Sequence, residues 1–217
     1  MLDLARRQPS AILLGAQLAG VVLYPFMEDS DVGRALFSVF GIVVLGLVLL
    51  TVRNSRAATW FSLALAIPAT VLLLIQAVTG DDDLFPYSSA FEAVLYFYAA
   101  GALIAYMLED HVITRDELFA VGATFTLVAW AFAYSFVVWQ AIEPGSFVTG
   151  DGQGDLSWME LLFLSFTTLS ATGLGDVVPI RPFARALVML EQLAGIGYIA
   201  MVVSRVVGLT VLGRMRT

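Results

Sequence analysis

The chain has 217 residues, 59% of them hydrophobic and only 13% charged, where an ordinary soluble domain carries roughly 25% charged residues. A mean hydropathy of +0.88 describes a membrane protein with no room for a large soluble domain. The formal net charge of −7 argues against nucleic acid as a partner, and the absence of cysteine excludes disulfides, thiol chemistry and Cys-based metal sites.

Apolar runs between charged or Gly/Pro-containing breaks predict spans near 11–27, 34–52, 57–79, 90–108, 118–142 and 183–212. The first follows Arg6 and Arg7 in the manner of a signal peptide, but it lacks a small-residue cleavage pattern and precedes further spans, so it is read as retained. A shorter apolar piece, Ser157 to Ser170, lies between the last two spans. At about 14 residues it is too short to cross and suits a re-entrant helix. Thr114-Arg-Asp-Glu117 and Ser157-Trp-Met-Glu160 have the Ser/Thr-x-x-Glu form of a reciprocal helix cap, one opening span five and the other the short helix.

Arg-rich short loops stay cytoplasmic. With six alternating spans, Arg6, Arg7, Arg53, Arg56, Arg115, Arg214 and Arg216 share one side, and Arg34, Arg181 and Arg185 the other. Both termini are therefore expected in the cytoplasm, with the protein multi-pass in the plasma membrane. The opposite face collects Glu28, Asp29, Asp31, Asp81, Asp82, Asp83, Glu143, Asp151 and Asp155. Such a face raises the local cation concentration, or it only solvates loops, since acidic residues obey no sidedness rule.

The end of the short helix joins an extended strand through Phe166-Thr-Thr-Leu-Ser-Ala171-Thr172-Gly173-Leu174-Gly175-Asp176, followed by Pro179. This segment resembles the pore loop of the potassium-channel superfamily. The resemblance implies a filter at 171–176, in which backbone carbonyls of four strands replace the water around an ion. Turning successive carbonyls toward one axis demands backbone angles that glycine adopts cheaply, which places Gly173 and Gly175 at those positions. Pro179, Arg185 and Gly195 fall where two-span potassium channels have a Pro, an Arg and a hinge glycine, and the end of span six, Tyr198 to Leu209, is similar to bacterial members of the superfamily. The match covers about 157–210; the first four spans carry no motif of it.

The departures are specific. Ala171 replaces the usual filter Thr, Thr172 the usual Val and Leu174 the usual Tyr, while Phe163 and Leu164 occupy places where many relatives have Trp. Both sides of a hydrogen-bonded cuff are missing. Apolar packing of Leu174 on Phe163 and Leu164 is expected instead, a less directional brace that softens selectivity. Thr167, Thr168 and Ser170 complete the expected support. On span six, Gly195, Ile196, Ile199, Ala200, Val203 and Val207 are the candidate hinge and gate, an apolar face suited to dewetting or to plain packing. Gly195 and Gly197 either permit a bend or let neighbouring helices approach.

Glu191, beside Gln192 inside span six, needs a partner, and a hydrogen bond to Ser165 or Thr167 is preferred over an ion-conducting role. Glu92 is expected to reach the interface. His111, the single histidine, reads as an exposed loop residue rather than a pH sensor. The fourth span, 90–108, contains no Arg or Lys, so voltage sensing is not expected.

The expected fold is thus an all-α integral membrane protein: six transmembrane helices, a re-entrant pore helix at 157–170 and a filter between spans five and six, assembled as a homotetramer. Residues 1–112 form a charge-poor scaffold and 113–217 the pore domain. Potassium is the expected transported ion, held at the carbonyls of Ala171, Thr172, Gly173 and Leu174, with no cofactor. No enzyme chemistry is implied, because no metal cluster, activated nucleophile or nucleotide loop is visible. A weakly selective or sodium-permeable channel and a non-conducting scaffold remain alternatives; a secondary transporter is disfavoured without paired interrupted spans. So few residues follow span six that no cytoplasmic ligand-binding domain is expected.

Overall fold

In the computed structural model, residues 8–26, 31–51, 56–80, 82–109, 114–150, 152 and 155–215 are described. Arg6, Arg7, Glu28, Asp29, Arg53, Asp81, His111, Asp151 and Arg216 lie outside the described residues, as do the side chains of Asp31, Arg34, Arg56, Asp82 and Arg214.

Among the described residues six long α-helices and one short one follow in order: α1 Pro9–Leu23, α2 Asp31–Thr51, α3 Arg56–Thr79, α4 Phe85–Leu108, α5 Arg115–Ile142, α6 Trp158–Leu169 and α7 Pro182–Met215. Five of the described helices are long and apolar enough to cross a membrane, namely those at Pro9–Phe26, Trp60–Thr79, Phe85–Leu108, Arg115–Ile142 and Pro182–Arg205; the apolar stretch Val39–Leu50 of α2 is shorter. The helix α4 begins at Phe85, five residues earlier than the apolar run suggests, because Pro86 occupies its first turn, where a missing backbone N–H costs nothing.

The helix α5 runs through the middle, and α1, α4, α6 and α7 all pack on it. Its apolar stretch is 67% buried. The helices α2 and α3 pack on each other, and α3 in turn on α4. At one end of this core Trp158, the first residue of α6, fits among Tyr24, Trp130 and Tyr134, with ring centroids 5.1, 5.3 and 5.7 Å away. At the other end Ser10 donates to both carboxylate oxygens of Asp116, through its backbone N–H at 3.1 Å and its hydroxyl at 2.9 Å, tying the start of α1 to the start of α5.

Besides the helices there is a small antiparallel sheet, β1 Phe147–Thr149 and β2 Val177–Pro179, in the register Phe147 to Pro179 and Thr149 to Val177. It closes the loop that contains α6 at its base, and the Ile180 N–H extends it by donating to the Ser146 carbonyl at 2.9 Å.

Two polar expectations are corrected. Glu92 does not reach an interface: it is 1% exposed, and both carboxyl oxygens are buried without a hydrogen-bond partner among the described residues. Its position inside α4 turns it toward α2, where it lies beside Gly41. The cap at Thr114 forms only its first half, the Glu117 N–H donating to Thr114 Oγ1 at 3.2 Å. The Glu117 carboxylate is drawn away to Arg205 on α7, 3.3 Å distant.

Candidate functional site

The short helix α6 is fixed at its start by a complete reciprocal cap. The Ser157 N–H donates to the Glu160 carboxylate at 2.7 Å, and the Glu160 N–H donates to the Ser157 hydroxyl at 3.4 Å. The preceding residue is held too: Gln140 of α5 accepts from the Leu156 N–H and donates to the Leu156 carbonyl, both at 3.0 Å. Such a side chain satisfies an extended buried segment as a second strand would.

At its other end α6 is closed by the segment that follows it. The Ser170 N–H and hydroxyl donate to the Phe166 carbonyl at 3.0 and 2.6 Å, and the Ala171 N–H to Thr168 at 3.0 Å. The Thr167 carbonyl receives four donors: the N–H groups of Thr172 and Gly173 at 3.0 and 3.1 Å, the Thr172 hydroxyl at 3.2 Å and the Ser170 hydroxyl at 3.4 Å. The Ser170 and Thr172 hydroxyls stand 2.9 Å apart. The orphan carbonyls of a helix end are thereby satisfied, and the N–H groups of residues 171 to 173 are all spent inward.

What remains faces out. Residues Ala171 to Asp176 are exposed, and among the described residues no hydrogen bond is donated to the carbonyls of Ala171, Thr172, Gly173, Leu174 or Gly175. The backbone achieves this through two left-handed residues, Ala171 at φ 58° and Gly173 at φ 66°. Gly173 behaves as the sequence pattern suggests. Gly175 does not adopt a positive φ; Ala171 takes that conformation, at the cost of about 1 kcal/mol that a non-glycine residue incurs there. Five consecutive acceptors on an exposed, glycine-containing strand, beyond the negative end of a helix dipole, form a surface that attracts a cation.

A family described as Ion channel matches residues 93–211, more than half of the sequence and inclusive of this segment. The chain belongs to that family. It is a membrane-embedded pore-loop channel; no curated protein and no solved structure matches it.

In the channel, α7 presents two unlike faces. Ala184, Val188, Glu191, Gly195 and Tyr198 are buried against the rest of the chain, and the Tyr198 hydroxyl donates to the Val121 carbonyl of α5 at 2.6 Å. The candidate gate residues Ile196, Ile199, Ala200, Val203 and Val207 lie on the exposed side. Gly195 is not part of that side. A Cβ on it would collide with the Leu169 carbonyl oxygen and lie 2.8 Å from its carbonyl carbon, so glycine here allows α7 to touch the end of α6, and the helix continues unbroken through the position.

Of the expected supports, Thr167 and Ser170 act through the bonds above, and Thr168 through its carbonyl. The wall of Leu174 on Phe163 and Leu164 does not form within one chain: Leu164 is buried, while Leu174 remains 60% and Phe163 36% exposed. The brace that does form is polar and comes from the helix end itself.

The Arg205–Glu117 pair is a feature that span-by-span reading does not predict. It bridges α7 to α5, with side chains only 15% and 6% exposed, in a recess lined by Met107, Leu118, Val121 and Met201. The signal is present in the sequence, since an arginine inside an apolar run needs a partner, but the Thr114 cap pattern offers the Glu117 carboxylate a nearer one.

Proposed function

We propose that four copies of the chain assemble around a fourfold axis as a potassium channel, conducting through the carbonyls of Ala171, Thr172, Gly173 and Leu174. One observation carries this: a run of unclaimed carbonyls on an exposed strand whose N–H groups are spent on the helix behind it. A single strand offers a cation one side of a coordination shell, and four supply a full one. The exposed apolar side of α7 then faces neighbouring copies and the axis, with lipid around the scaffold of residues 1–112. With α2 as a sixth crossing, this reading has both termini in the cytoplasm and the filter on the acidic outer side. Lacking basic residues on α4, the channel has no voltage sensor of the Arg-repeat kind.

The reversal potential of purified protein in planar bilayers, potassium on one side and sodium on the other, tests the reading. A value near the potassium equilibrium potential, abolished by Gly173→Ala, is the expected result; a value near zero contradicts potassium selectivity, and no ion flux under any gating condition contradicts conduction.

Softer selectivity is a second reading, favoured by the exposure of Leu174. Without a Tyr hydroxyl, the filter's outer half depends on a neighbouring copy to cover Leu174 and Phe163. Restoring Tyr at Leu174 together with Trp at Leu164 sharpens selectivity on that reading.

A further inference from the structure

Behind the filter, on the side away from the exposed strand, the channel buries a carboxyl group. Glu191 of α7 is 0% exposed, and the Ser165 hydroxyl of α6 hydrogen-bonds its Oε1. Ser165, also 0% exposed, reaches the Ala129 carbonyl of α5 at 2.7 Å. One side chain thus joins the inner helix, the short helix and the central helix at a single level. One turn further along α7, Gly195 lies against the Leu169 peptide. Between these two contacts stands Thr167, whose carbonyl holds Thr172 and Gly173. The two contacts fix α6 against both axial slide and rotation relative to α7, and the residue that anchors the strand turns with α6.

We infer that Glu191 is a positioning residue for ion selection: through Ser165 it sets the rotation of α6 and hence the aim of the filter carbonyls. This rests on the reading given under Proposed function and extends it to a residue that never meets the ion. A conducting role for Glu191 does not fit its place, since its side chain lies on the buried face of α7, opposite Leu193 and Ile196. The bridge has a particular chemistry. Ser165 has one hydrogen and two acceptors within reach, so a residue at 191 that can both accept and donate completes it. Glutamine does so at the same size; leucine removes the bridge while leaving Ser165 its bond to Ala129, so no buried hydroxyl is orphaned.

The test compares wild type, Glu191→Gln, Glu191→Leu and Ser165→Ala as full-length protein, with two readouts. One is the potassium-to-sodium permeability ratio in bilayers. The other is the potassium concentration that half-maximally raises the thermal midpoint of the purified assembly, which needs no open gate. Glu191→Leu and Ser165→Ala are expected to lower the ratio and raise the half-maximal concentration by about tenfold, the equivalent of one buried hydrogen bond, with Glu191→Gln within about twofold of wild type on that same scale. Wild-type values in Glu191→Leu and Ser165→Ala overturn the inference and leave the channel reading intact, as does an equal loss in Glu191→Gln. If Glu191→Leu does not assemble, Ser165→Ala decides. A wild type that neither conducts nor responds to potassium removes the channel reading and this inference together.

Discussion

The helices α5 and α7 are both long enough to span a bilayer and almost equally apolar, yet 67% of the first one's apolar stretch is buried and 22% of the second's. Composition does not separate them; neighbours do. Four helices of the same chain pack on α5 and cover most of it. On α7 one stripe packs inward through Glu191, Gly195 and Tyr198, and another, including Leu193 at 70% and Ile196 at 58% exposure, is uncovered among the described residues. In a membrane such a surface faces lipid or another protein, and on the proposed reading further copies cover it on α7. Substitutions on α5 and on the inner stripe of α7 should therefore damage the fold, and those on the outer stripe should damage assembly alone.

The largest contrast lies within α7 itself. Gly195→Ala forces a methyl group into the Leu169 backbone, which cannot swing aside as a side chain would. A loss of about 3 kcal/mol is expected, seen as a collapse of the thermal midpoint. Gly197→Ala meets nothing within 4 Å and should be neutral or gain about 0.5–1 kcal/mol from helix propensity. Equal effects would break the distinction between the two faces.

Next comes Arg205→Leu, which strands the Glu117 carboxylate between the start of α5 and the last turns of α7. A cost of about 2–3 kcal/mol is expected from the lost charged hydrogen bond. The double variant with Glu117→Leu should recover most of it, because removing both partners leaves no buried charge. A double-mutant cycle on denaturant or thermal unfolding checks this; additive losses would mean that the two helices are held by other contacts.

Gln140→Leu takes both partners from Leu156 and frees the entry to α6. The expected cost is about 2 kcal/mol for two buried backbone groups left unpaired, with faster hydrogen exchange confined to residues 155–160. The smallest effect on the folded chain is expected at the outer stripe: Leu193→Ala should change helicity and monomer stability by less than about 0.5 kcal/mol, while shifting the distribution of assembled species toward smaller ones.

How far all this was legible follows the range of each signal. Helix positions came through because apolar runs and their breaks are local: Ser157 to Ser170 contains α6, and its cap forms as Ser157 and Glu160 predict. The bond from Ser165 to Glu191 was also foreseeable, since a carboxyl inside a span must find a donor nearby. Contacts between distant residues were not. Glu117 and Arg205 are 88 positions apart, and nothing in the spacing around Glu117 distinguishes a cap from a bridge.

Burial around a helix was illegible for a related reason. A span that is apolar all round has no periodic stripe, so the inward turn of Glu92 and the difference between Gly195 and Gly197 lay outside the pattern. In the filter-like segment, glycine marked one left-handed residue, Gly173, and missed the other. Ala171 takes that conformation because its N–H is used by Thr168 and the next two by Thr167, a demand of the helix end rather than of residue type. The sheet of β1 and β2 escaped for want of length, each strand being three residues long.

The central claim is that the exposed side of α7 is completed by identical copies to form one pore, and the mass of the purified particle tests it most directly. Native mass spectrometry of the detergent-extracted protein should give four chain masses, with potassium favouring the assembled form. A particle that stays at one or two chain masses in potassium and in a range of mild detergents would contradict it.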